Sequence, residues 1–204
     1  MTDEKFESPF APYDVLDKWS TPSWNEQTRN VVRRRLTEIP SRRFFDQSEW
    51  AIAEAIAARI VPQPDRGSAP VPIVPFIDER LHENRGKGYR YADLPPEREA
   101  WKRGLAAIDA ESETLFAQPF VKLTGEQQDE VLRRVQHANV SSALWKDLPP
   151  RRFFTTFLLE DVVGEYYAHP AAWSEIGFGG PASPRGYVRL GFDQRDSWEA
   201  EKRR

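Results

Sequence analysis

The chain has 204 residues, with 29 basic and 32 acidic side chains, a formal net charge of −3, three histidines and no cysteine. That length suffices for one domain with a proper core, and the missing cysteines exclude disulfides, thiolate zinc sites, c-type haem attachment and cysteine-ligated iron–sulfur clusters within it. The charge balance argues against a nucleic-acid binder, which needs a basic excess, and no run approaches the roughly 18 apolar residues of a membrane-spanning helix.

The opening Met1-Thr-Asp-Glu-Lys-Phe-Glu is acidic with no apolar run behind it, so it does not read as a secretory signal. Residues 1–46 form an N-terminal arm without a sustained period, carrying Phe6, Phe10, Tyr13, Trp19, Trp24, Phe44 and Phe45, with room for a short helix over 25–36. Ser41-Arg42-Arg43-Phe44-Phe45 resembles a twin-arginine export consensus. Asp46, Gln47, Ser48 and Glu49 follow where that signal needs an apolar segment, so the pair reads as surface arginines ahead of a helix. Ile52, Ile56 and Ile60 recur every four residues with Ala53 and Ala57 beside them, which predicts a helix over 48–61 stopped by Pro62. Ile77 and Leu81 predict a second over 74–84, with Pro75 in its first turn.

The segment 86–93 is a loop by its glycines and polarity. A third helix over 96–116 is marked by Trp101, Leu105, Ile108 and Leu115. Thr124 and Gln127 have capping-box spacing ahead of Val131, Leu132 and Val135. The last strong helix opens at Pro149-Pro150 and runs through Phe154, Phe157, Leu158, Val162 and Tyr166. No segment alternates for long enough to be a strand. The expected fold is all-α: a compact core of about five helices over 47–168, with irregular, aromatic-rich arms at 1–46 and 169–204.

The C-terminal arm, rich in glycine and proline, excludes a continuous helix yet holds Trp173, Phe178, Tyr187, Phe192 and Trp198. The two arms contain 12 of the 25 aromatic residues, and disordered tails are depleted in these. Burying the C-terminal aromatics alone returns less free energy than ordering its backbone costs. The arms are therefore expected to pack on something, and a second chain is the favoured surface.

The inventory for chemistry is thin. His82, His137 and His169 lack metal-ligand spacing. Asp161 and Glu165, four apart, are a candidate carboxylate pair, or else a solvated face or partners of Arg151 and Arg152. Gly177-Phe-Gly-Gly-Pro lacks the strand and spacing of a phosphate loop and reads as a turn. No catalytic, cofactor or metal residue is assigned to this chain.

Residues 164–187, Gly-Glu-Tyr-Tyr-Ala-His-Pro-Ala-Ala-Trp-Ser-Glu-Ile-Gly-Phe-Gly-Gly-Pro-Ala-Ser-Pro-Arg-Gly-Tyr, carry a tyrosine pair, a His-Pro step, a tryptophan, Glu-Ile-Gly-aromatic, Gly-Pro and Gly-Tyr in order. This resembles the gluconate 2-dehydrogenase subunit 3 family. The likeness extends upstream to Phe44-Phe45 before Glu49-Trp50, Arg59-Ile-Val-Pro-Gln-Pro64, Gly104-Leu-Ala-Ala-Ile-Asp109 and Leu123 before Glu126-Gln127-Gln128, and downstream to Trp198.

The resemblance implies a non-catalytic small subunit that binds, stabilises and helps mature a large subunit of glucose–methanol–choline type. That partner would hold FAD and oxidise a sugar or glycoside, in some systems with a cytochrome c as electron acceptor. The candidate docking residues are Trp173, Ile176, Phe178, Pro181, Tyr187 and Trp198. The expected location is cytoplasmic, or periplasmic if a partner's signal carries the complex. The rival readings are a stand-alone helical enzyme using Asp161, Glu165 and a histidine, and a general scaffold module.

Overall fold

The computed structural model describes residues 8–88, 91–181 and 198–202, and among them there are helices and no strand. The α-helices are α1 Glu26–Thr37, α2 Gln47–Ile60, α3 Ile73–His82, α4 Glu97–Phe116, α5 Gly125–Gln136, α6 over 150–167 and α7 Pro170–Ile176. Within α6 a π-helical stretch, Phe153–Leu159, separates Pro150–Arg152 from Glu160–Tyr167. The chain divides into two compact units, one of 40–63 and 72–165 and a terminal one made of the described residues up to 39, 64–71, and those from 166 onward.

The larger unit contains the helices that the apolar periodicity predicts. Helix α2 starts one residue earlier than expected because Asp46 is its cap: the carboxylate accepts the Glu49 N–H at 2.8 Å, and Glu49 accepts the Asp46 N–H at 2.9 Å. Thr124 and Gln127 close the predicted box on α5. Trp101 anchors the core, meeting Phe45 and Phe153 edge-on at 5.7 and 6.2 Å. Gly104 lies where Phe153 needs space, since a Cβ there would stand 2.0 Å from the ring. The π-helical stretch turns Phe153, Phe154, Phe157 and Leu158 all inward.

Two buried carboxylates fasten loops to this unit. Asp78, fully buried, accepts the amide N–H groups of Arg43, Phe44 and Phe45 at 2.7 to 3.1 Å. Glu111 accepts those of Ser141 and Ser142 at 2.7 and 2.5 Å. Each offsets the cost of burying backbone donors outside a helix.

The terminal unit brings the two expected arms together. Val15, Trp24, Val32 and Trp173 form its buried centre, with Tyr13, Leu16, Trp19 and Leu36 packed around them. Trp24 and Trp173 are 2% and 8% exposed, so these aromatics are covered by their own chain, whereas the sequence favoured a second chain as cover. The two units divide the chain after 39 and before 166, with 64–71 joining the terminal one. Lys18, 1% exposed, ties the ends: its ammonium donates to the Gly179 carbonyl at 2.9 Å and meets Glu199 at 2.7 Å.

Candidate functional site

Most of the predicted docking residues lie on or just beyond α7. The helix opens at His169, whose Nδ1 accepts the Ala171 N–H at 3.3 Å, with Pro170 in the first turn. The cap requires a neutral imidazole. Burial supplies it, with the Arg66 and Arg35 charges adding to the effect, and the pKa is lowered to about 4. The helix ends at Gly177 in the left-handed region, φ 67°, packed on Phe10.

Trp173 is a core residue whose Nε1 donates to the Tyr167 carbonyl at 2.6 Å. Gly180, also at positive φ, lies against Trp173 and Trp24, and a Cβ there would sit 3.1 Å from each. Ile176 and Phe178 flank Gly177 and are 44% and 39% exposed. The Phe178 ring meets Trp173 edge-on at 5.8 Å, which fixes its direction. Pro181 and Trp198 are half-buried, and Tyr187 lies outside the described residues.

Glu175 stiffens this end of the chain. It accepts the Tyr166 hydroxyl at 2.7 Å and pairs with Arg66. Burial pushes the Tyr166 phenol up to about 12. Ser8 donates to the Glu175 carbonyl at 2.6 Å, and the Val15 N–H donates to Ser174 at 3.1 Å.

The carboxylates of the enzyme reading have other work. Asp161 is buried and accepts the Trp101 Nε1–H at 2.9 Å, with Arg80 and Lys87 each at 2.7 Å. Arg80 reaches a second carboxylate, Glu97, at 2.5 Å. Burial lowers the pKa of this guanidinium, yet Asp161 and Glu97 outweigh it and hold the group above its ordinary value. Burial likewise raises Glu97 despite the pull of Arg80. Arg152, one of the partners expected for Asp161, instead pairs with Asp93 at 3.0 Å. Among the described residues no His, Cys, Asp and Glu cluster could hold a metal ion.

The family model of gluconate 2-dehydrogenase subunit 3 matches residues 47–180. The chain belongs to that family. No curated protein and no solved structure matches it. As a gluconate 2-dehydrogenase subunit 3, the chain is one subunit of a multi-subunit dehydrogenase. The match runs from the start of α2 to Gly180, so it includes α7 and the turn after it.

Sequence reasoning missed the capping role of His169 and the buried Arg80–Asp161 pair. His-Pro opening a segment closed by glycine is a legible start-and-stop signal for α7. Nothing in the local pattern links Arg80 to a carboxylate 81 positions away.

Proposed function

We propose that this subunit is non-catalytic and that it binds, stabilises and helps mature a FAD-dependent large subunit of glucose–methanol–choline type, which oxidises a sugar or glycoside. The observation that carries the reading is the pair Ile176 and Phe178. Two large apolar side chains stand partly in solvent on either side of a capped helix end, braced from beneath by buried Trp173. Rigid, exposed apolar anchors of this kind suit an interface better than a pocket for chemistry.

The stand-alone enzyme has less support. A general acid or base needs a free lone pair or proton within reach of substrate. Asp161 is enclosed by three donors, so its oxygens already serve the fold. FAD belongs to the partner in this reading, and a cytochrome c is a further candidate member of the complex.

Expression of the large subunit with and without this chain tests the proposal. Soluble, flavin-loaded, active enzyme is expected only from co-expression. Equal yields of active flavoprotein in both cases would remove the maturation role.

A further inference from the structure

We propose that the larger unit carries a binding site for a small amphipathic anion, with an apolar body and one carboxylate- or sulfonate-like head. The site is a cavity of about 500 Å³ beside α3, the start of α4 and the π-helical stretch of α6. That volume falls among small-molecule sites, which run roughly from 300 to 1,000 Å³. Leu81, Leu94 and Phe157 contribute its inner wall from the core, at 2%, 2% and 4% exposure, and Tyr91 lies at its edge. These side chains are fixed by packing, so the apolar surface is in place before a ligand arrives.

The charged rim determines which head group fits. Arg80 is engaged by Asp161 and Glu97, Arg85 by Glu83 at 2.5 Å, and Lys87 by Asp161 and Glu160, as well as the Thr156 carbonyl at 2.8 Å. Arg98 differs: among the described residues it makes no ion pair, and its guanidinium stands over the Phe44 ring at 5.0 Å. A guanidinium lying over a ring face still has N–H groups to offer an oxyanion. Arg98 also occupies the first turn of α4, where Glu97 and Glu99 already answer the helix dipole. A cationic ligand would meet Arg80, Arg85, Lys87 and Arg98 on one rim, and a sugar would leave the apolar wall without a partner. The π-helical stretch adds a structural reason, since such turns are frequent at functional sites.

Anilinonaphthalene sulfonate, which has an apolar ring body and one anionic head, is the probe. Titrated into the full chain and followed by fluorescence, it is expected to saturate a single site. Phenylnaphthylamine, nearly the same rings without the sulfonate, is expected to bind about tenfold more weakly. Arg98→Gln should weaken the sulfonate by about the same factor and Arg98→Lys by less. Thr156→Trp, which fills the cavity from its wall, should abolish binding with the melting temperature retained. Should that variant unfold, Arg98→Glu at an exposed position carries the test by repelling the anion. Sulfonate binding unaltered by Thr156→Trp or Arg98→Glu would overturn the proposal. So would equal affinity for the uncharged amine. Absence of saturable binding would overturn it too. None of these outcomes depends on the docking role of α7.

Discussion

Two positions show how a single side chain sets the stability of the larger unit. Gly104 lies inside α4, where alanine would gain up to about 1 kcal/mol in helix propensity. The added Cβ would stand 2.0 Å from Phe153 Cζ and 2.4 Å from its neighbours, and Phe153 is fully buried between Trp101 and Trp145. Overpacking of this kind costs about 1–3 kcal/mol or more, so packing wins. Gly104→Ala is expected to lower the urea midpoint, and Phe153→Leu in that background to recover part of the loss. A rise in the midpoint would show that the ring has room to move. Asp78 poses the opposite case. Removing its carboxylate strands three amide donors, of which the Phe45 N–H is buried and the other two partly so; a buried donor without a partner costs about 1–3 kcal/mol. Asp78→Ala is expected to cost about 1–3 kcal/mol in chemical unfolding, with Asp78→Asn intermediate because one acceptor oxygen remains. Near-equal stability of the alanine variant would mean that water replaces the carboxylate.

At the scale of elements, the helices with long apolar repeats were legible from their period and the short one only from its ends. Ile52, Ile56 and Ile60, or Trp101, Leu105 and Ile108, repeat often enough to state a period. Helix α7 has seven residues, less than two full turns of pattern, so its evidence lies in its ends. Its N-terminal cap also makes it sensitive to pH. The His169 pKa in the folded chain is about 4, against an ordinary 6.5. Between those values the unfolded chain binds a proton that the folded chain does not, so stability rises with pH across the window. The contribution is complete above about pH 6.5 and is lost as the pH falls toward about 4. His169→Asn retains a capping acceptor without a charge that titrates. It is expected to flatten the dependence of the melting temperature on pH in that interval. An unchanged slope would assign the acid sensitivity to other groups.

For the whole molecule, the residues that sequence and family resemblance mark for docking separate into two physical classes. The pattern marked one stretch of chain, but it could not tell core from surface, because Trp173 and Ile176 are both large apolar residues in one seven-residue helix. Burial distinguishes them. Trp173→Ala opens the centre of the terminal unit, a change that costs about 3–5 kcal/mol in comparable cores, so weaker complex formation by that variant would report unfolding as readily as lost contact. The paired replacement Ile176→Asp with Phe178→Asp avoids this ambiguity, since both side chains are more than one-third exposed. Its melting temperature should fall by much less than that of Trp173→Ala. Its recovery of the proposed large subunit in a co-purification should fall by an amount typical of interface anchors, about 2 kcal/mol or more. Undiminished recovery from a folded double variant would move the docking face away from the end of α7, while the maturation role would still rest on the co-expression result.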